Sequence, residues 1–266
     1  MANSEPVHFF DVLSSLEGPS KSWSPNTLHI RLILNYKRIP YTQSFISYPD
    51  IAPLLKSLSV PANETGFPYT LPTINHKPSI TVNSSGTLTD SLQIALHLDK
   101  TFPSPPLFPH GDASYALAIA VSEILNNVAS HIYLLGVSKC PEILDERGRA
   151  YFVKSRSEIF GKPFHEIRPQ DEEKVKEMEA AALKELEGLV RVLKGREEKQ
   201  GVFFEGENPG NADFLVVSLF AWIERVDKVL WNKLINVGEG ELRALWDACL
   251  PWLDGQGEEK EWQVGV

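Results

Sequence analysis

Ser22-Trp23-Ser24-Pro25-Asn26-Thr27, running on into Leu28–Ile39, decides how the chain reads. A short apolar run, His8–Leu13, precedes it, and a loop of small and polar residues joins the two. Ser24-Pro25 opens an amphipathic segment with Leu28, Leu32, Ile33 and Leu34 on or near one face. Serine is a favoured N-cap, and proline suits the first helical position because the N–H it lacks has no partner there. The spacing predicts a strand, a loop and a helix over Pro25–Ile39. The Ser24 hydroxyl then sits at the positive end of that helix, beside free backbone N–H groups, where an anion such as a thiolate is stabilised. A plain helix cap is the other reading, and the stretch alone leaves both open.

Outward from this stretch, the first third alternates strand-like and helix-like segments. Tyr41–Ser47 is predicted as a strand, Pro49–Ser57 as a short helix and Val60–Tyr69 as a loop. Thr70–Asn75 is predicted as a third strand, Ser79–Val82 as a fourth, and Asp90–Phe102 as a helix. This order implies a mixed sheet with helices on its faces. Pro103-Ser104-Pro105-Pro106 then breaks the pattern, and dense prolines make a stiff connector. Beyond it helices are predicted at Asp112–Val137, Leu144–Phe160, Asp171–Leu193, Ala212–Val226 and Glu239–Cys249. Asp171–Leu193 carries its apolar residues at threes and fours, a 3.6-residue period. A short strand is expected at most at Val202–Phe204, and Gly255–Val266 reads as a polar tail, loose or only partly packed.

Composition bounds the function classes. The 266 residues are 42% hydrophobic and 23% charged, an ordinary globular balance. The net charge of −9 argues against a nucleic-acid partner. No apolar run reads as a membrane span, and the N-terminal stretch lacks the basic and apolar regions of a secretory signal. Cys140 and Cys249 have no CxxC spacing, which fits a reducing cytosol without disulfide or zinc.

Three further constellations bear on chemistry. In Thr70-Leu71-Pro72-Thr73-Ile74, a proline heads a strand, where it removes a ladder donor. A trans edge proline is the commoner form. A cis bond would turn the Leu71 backbone outward to pair with an extended peptide ligand. In Gly86-Thr87-Leu88-Thr89-Asp90-Ser91, Asp90 with Gln93 reads as a capping box. The same geometry offers free N–H groups and the Ser91 hydroxyl to a carboxylate, with Asp90 beside them for an ammonium. In Pro209-Gly210-Asn211-Ala212-Asp213, Asp213 is expected to cap a buried helix rather than to react.

The order of elements and these four sites resemble the glutathione transferases, over about His8 to Trp252. Within that family Ser22–Thr27, the Tyr41…Tyr48-Pro49-Asp50-Ile51 segment and Tyr69-Thr70-Leu71-Pro72 resemble the fungal FuA class, related to bacterial beta-etherases, which uses serine where many relatives use tyrosine. The resemblance implies an α/β plus all-α architecture: a thioredoxin-like domain over 1–102, a linker over 103–111 and an all-helical domain over 112–266. It implies that Ser24 donates a hydrogen bond to the thiolate of glutathione as co-substrate, with Ser22 a second candidate and Asn26 a further polar contact. Thr70, Leu71 and Pro72 would meet the cysteinyl backbone, and Asp90 with Ser91 the γ-glutamyl headgroup. Phe9, Trp23, Tyr115, Ile119, Tyr133, Tyr151 and Phe152 are the expected walls for a small hydrophobic or aromatic electrophile.

Two departures from the family pattern stand out. Gly210 occupies the place where a serine or threonine usually caps the central helix. His29 and Arg31 are the nearest basic residues to Ser24, so the charge beside the thiolate is open. The resemblance further implies a cytoplasmic homodimer acting in conjugation, peroxide reduction or ether cleavage, without metal. A ligand carrier of the same fold is the alternative. A glutaredoxin-like oxidoreductase would need a cysteine at the first helix, and there is none.

Overall fold

Val7–Val12 (β1) is buried along its whole length, as expected of a strand covered on both faces. It pairs in parallel with Tyr41–Ile46 (β2), with Val7 opposite Tyr41 and Val12 opposite Ile46. On its other side it runs antiparallel to Thr73–Asn75 (β3), which pairs with Thr87–Thr89 (β4). The computed structural model describes residues 5–254 and 257–262. Pro25–Tyr36 (α1) joins β1 to β2, Tyr48–Ser57 (α2) follows β2, and Ser91–Thr101 (α3) follows β4. The helices Asp112–Val137 (α4), Glu146–Phe160 (α5), Glu172–Lys194 (α6), Asn211–Val226 (α7), Lys228–Ile235 (α8) and Glu241–Leu253 (α9) complete the helical part. α1 packs on α7 and α9, α2 on α5, and α4 on α6 and α7.

Four expectations are corrected. The fourth strand is Thr87–Thr89, not Ser79–Val82. Ser79 is instead held in a turn, its hydroxyl 2.5 Å from His76 Nδ1, and the Ile80 N–H donates to the His76 carbonyl. The chain turns back at Gly86, with φ +68° and only 2.7 Å between an added Cβ and Lys77 Cα, so only glycine fits. α8 was not foreseen, because Asp227 ends α7 and starts α8 with no intervening loop, its carboxylate accepting from the Leu230 N–H. α9 continues past Pro251, which sits in its last turn, instead of ending at Cys249. At Val202–Phe204 there is no strand, only a bridge from Phe203 to Gly206.

Where it is described the tail is partly packed, the second of its two readings. Glu258–Glu259 (β5) adds to β2 in parallel and closes the sheet order β4-β3-β1-β2-β5. Trp262 then packs its ring 4.6 Å from that of His8 and 4.9 Å from that of Phe10. The remainder of the predicted tail, 255–256 and 263–266, lies outside the described residues. By length and mean hydropathy α4 could cross a membrane, contrary to the expectation of no such run. Its 26 residues include Glu123, Asn126, Asn127 and His131, and one face packs on α6 and α7.

The connector is tied down. The buried Lys37 ammonium, at the end of α1, donates to Asp99 at 2.7 Å and to the Pro105 carbonyl at 2.5 Å. Asp99 also accepts from the Leu107 N–H at 2.8 Å. One cluster of buried side chains runs from β1 through α9.

Candidate active site

Ser24 is the N-cap residue of α1, in extended conformation, and its carbonyl accepts the first helical bond from Leu28 at 2.9 Å. Its hydroxyl caps nothing and makes no hydrogen bond among the described residues. The hydroxyl is therefore unspent at the positive end of a twelve-residue helix, the feature that separates the two readings of this serine.

Ser22 is corrected. It is fully buried, and its hydroxyl donates to Asp11 Oδ2 at 2.6 Å. The same oxygen receives the Arg31 guanidinium at 2.8 Å, with both ionic side chains fully buried. Ser22 and Arg31 thus belong to the underside of β1 and α1. Arg31 also donates to the Tyr41 hydroxyl at 3.3 Å. His29 supplies no charge either. Its Nε2 pairs with Asn211 at 2.9 Å on α7, and burial lowers its pKa to about 4, so the ring is neutral at pH 7.

Two cavities meet at Ser24. The first, about 300 Å³, lies between the sheet-bearing part and α4, α5 and α7. Trp23, Tyr48, Tyr133, Phe152 and Trp222 give it aromatic walls. The second, about 270 Å³, lies between α1, α2 and the Phe67–Leu71 segment, with Tyr151 at its side. Ser24, Asn26, Tyr48 and Arg156 line both. Thr70 and Leu71 line the second, and the Leu71–Pro72 peptide bond is cis.

Of the residues named as walls, Trp23, Tyr133 and Phe152 line the first cavity and Tyr151 lines the second. Phe9 lines neither. It is fully buried in β1, its ring 6.3 Å from that of Tyr41, because β1 is covered on both faces. Tyr115 and Ile119 do not either. They are 38% and 37% exposed, on the same stripe of α4 as the cavity residues Ser122 and Asn126 but one to two turns nearer the helix N-terminus, beyond the end of the cavity. Asp90 and Ser91 line neither cavity. Asp90 caps α3, its carboxylate accepting from the Gln93 N–H at 3.0 Å, and it holds φ +74°, ψ 125°. A non-glycine residue reaches that region only under strain, and such strain concentrates at binding sites.

Tyr48 and Arg156 were missed. Tyr48 stacks near parallel to Tyr151 at 6.5 Å and meets Phe152 edge-on at 5.3 Å. It belongs to a segment that reads as a helix start, and nothing local marks it as a cavity wall. Arg156 follows Phe152 by one helical turn, a spacing that puts both on one face of α5. Only the packing of α5 on α2 brings that face to the cavities that Ser24 lines.

Cys140 also lines the first cavity, but burial pushes its thiol up to about 12. Burial raises the Cys249 thiol as well, so both sulfurs stay protonated at pH 7, which disfavours a redox reading. Among the described residues no group of three His, Cys, Asp or Glu is placed to hold a metal ion.

The site is framed by a buried cap. Asp213 Oδ2 accepts from the Gly210 N–H at 2.8 Å, and Oδ1 from the Phe204 N–H at 2.9 Å. Burial pushes this carboxyl up to about 7, while the two amides pull it down. Glycine serves at position 210 because Asp213 does the capping. An added Cβ there would lie 3.2 Å from the Leu107 carbonyl.

Residues 116–252 match the family model described as glutathione S-transferase, C-terminal domain. The chain is 54% identical over 262 residues to the glutathione S-transferase-like protein ustS of Aspergillus flavus, covering 97% of this chain and 95% of that one. Among solved structures, a glutathione S-transferase of Ceriporiopsis subvermispora in complex with glutathione aligns with TM-score 0.80 and 25% identity, over 93% of this chain and 98% of that one. The glutathione transferase GSTFuA3 of Phanerochaete chrysosporium aligns with TM-score 0.80 and 26% identity, over 94% and 98%. With a sheet-bearing first part, a helical second part and an unspent serine where two cavities meet, the chain belongs to the glutathione transferase family and resembles its fungal FuA members.

Proposed function

We propose that this chain is a glutathione-dependent transferase in which Ser24 activates the thiol, with glutathione in the second cavity and a small hydrophobic or aromatic electrophile in the first. The observation that carries the proposal is the unspent Ser24 hydroxyl lining both cavities at the start of α1. The fit to glutathione rests on this chain's own groups. Thr70 and Leu71 border the second cavity, Asn26 adds an amide at its junction with the first, and Asp90 holds strained backbone at the head of α3. Asp90 and Ser91 then serve a headgroup reaching beyond the cavity, and Pro72 fixes the turn beneath it. Glutathione supplies the nucleophilic sulfur, and the protein supplies the preference for its anion.

The energetics suffice. A thiol of pKa about 8.5 needs roughly 2.7 kcal/mol of preference for the anion to move down by about two units. A helix N-terminus contributes about 0.3–1 kcal/mol, or up to about 2 where partly buried. A hydrogen bond to a charged group contributes about 1.5–3 kcal/mol. Ser24 and the head of α1 together therefore reach the required amount without a metal. A thiolate so held displaces a leaving group from carbon, reduces a hydroperoxide or opens an aryl ether.

The thiolate absorbance of the bound tripeptide, titrated against pH, tests this. A bound thiol pKa near 6.5 in the wild type, returning toward 8.5 in Ser24→Ala, is the expected result. Turnover with aryl halides, hydroperoxides and aryl ethers should fall about 10²–10³-fold in the same variant. An unshifted thiol in the wild type would sink the proposal. The aromatic walls of the first cavity favour a second reading, a carrier of apolar ligands, and tight apolar binding with an unshifted thiol would select it. The two buried free thiols support a reducing, cytoplasmic setting, which fractionation of the native cell checks.

A further inference from the structure

Among the described residues Arg156 is the only charged one lining either cavity, in a chain of net charge −9. It is 8% exposed. Its guanidinium carbon lies 4.1 Å from the centre of the Phe152 ring, 4.2 Å from that of Phe67 and 5.3 Å from that of Tyr48. Among the described residues the one hydrogen bond it donates is from Nη1 to the neighbouring Ser155 hydroxyl at 3.0 Å, and its buried Nε has no partner. No acidic side chain pairs with it among the described residues, and none lines either cavity. The other deeply buried guanidinium near the site, Arg31, has a carboxylate at 2.8 Å.

A desolvated guanidinium without a counter-charge is costly, and ring faces offset only part of that cost. Its planar fork of donors matches a carboxylate or similar oxyanion in two parallel hydrogen bonds. The net negative charge of the chain would otherwise disfavour anions, so a lone cation in an acid-free cavity sets what the cavity accepts. Its charge also reaches Tyr48, Tyr133 and Cys140, all of which line the first cavity.

We infer that Arg156 holds an anionic group on the aromatic compound bound in the first cavity, so that the cavity selects aryl carboxylates, sulfonates and related oxyanions over neutral compounds of the same shape. This deepens the transferase reading by naming the class of its second substrate, but anion selection itself needs no turnover. The same chemistry could be met by a carboxylate of glutathione, and the test separates the two sources.

The test measures binding by fluorescence, with 8-anilino-1-naphthalenesulfonate and the neutral N-phenyl-1-naphthylamine, which share one ring scaffold. The wild type should bind the sulfonate about tenfold more tightly or better. Arg156→Met should abolish that preference, Arg156→Lys should keep part of it, and saturating glutathione should leave it in place. A wild-type preference near one overturns the inference whether or not any variant folds. A preference that survives in a folded Arg156→Met overturns it too. Loss of the preference on adding glutathione, with weaker glutathione binding in Arg156→Met, would move the anion site to glutathione and overturn it as stated. If the preference stands and no conjugation is ever found, the transferase reading fails and the anion site remains.

Discussion

Ser22 and Ser24 are two residues apart, yet one hydroxyl is bonded to Asp11 and the other is unspent. Asp11 decides this. A carboxylate fully buried near the end of β1 needs donors, and Ser22 and Arg31 are the ones that meet its Oδ2. Ser22→Ala should therefore cost about 1–3 kcal/mol of stability, since a buried carboxylate loses a charge-assisted bond. It should leave the bound thiol pKa where it is. Urea unfolding and the thiolate titration, run on the same preparation, check both halves. Arg31→Met should cost more, about 3–5 kcal/mol, because it strands the Asp11 charge. A Ser22→Ala protein with wild-type stability and an unshifted thiol would reverse the roles assigned to the two serines.

At the scale of elements, α4 shows how packing and binding share one helix. Gly136 sits on α4 against the Trp222 ring of α7, and an added Cβ would lie 2.8 Å from it. Trp222 lines the first cavity, so it has room to move only into that space. Gly136→Ala gains about 0.5–1 kcal/mol of helix preference and meets an overpacking cost of about 1–3 kcal/mol. The expected outcome is a small net loss of stability with a clearly shrunken cavity. Affinity for N-phenyl-1-naphthylamine should fall about tenfold. Unchanged affinity would mean that Trp222 turns elsewhere. The stripe of α4 that carries Tyr115, Ile119, Ser122 and Asn126 shows the limit of periodicity, which marks which residues share a helix face but not how far along that face the cavity extends.

For the whole molecule, two buried histidines set the response to acid. Burial lowers the pKa values of His8 and His29 to about 4, from an ordinary 6.5. As pH falls the unfolded chain takes up these protons first, so the stability they contribute is full above pH 6.5 and is lost between 6.5 and 4. Each histidine then costs about 2 kcal/mol between pH 7 and pH 5. Asp213, raised to about 7, acts in the opposite direction and offsets part of this loss. Urea midpoints at the two pH values should therefore drop for the wild type, and less for His29→Gln. Equal slopes in the two proteins would mean that His29 is protonated when folded. A homodimer is also expected, because Tyr115 and Ile119 on α4 and Val82, 82% exposed, present apolar side chains from both parts of the chain. Sedimentation at micromolar concentration should give twice 29.8 kDa, and Val82→Glu with Ile119→Glu should give the monomer.

By itself the sequence determined the alternation of strands and helices apart from α8, β5 and the place of β4, the cap at Asp213, the serine at the head of α1 and the Leu71-Pro72 segment. These are local: each rests on a side-chain period or on which residue can start or end an element, and neighbours in sequence suffice to set it. Only the tertiary structure decided which serine is free, that β5 closes the sheet, that Phe9, Tyr115 and Ile119 lie away from the cavities, and that Arg156 enters both. Those outcomes depend on which faces meet across long stretches of chain. Asp11 reaches Arg31 from another element, the Glu258–Glu259 backbone meets β2, and α5 packs on α2 so that one turn of its surface borders the cavity beside α1. A side chain's neighbours across such distances follow from packing the whole core at once, which no local window of residues encodes.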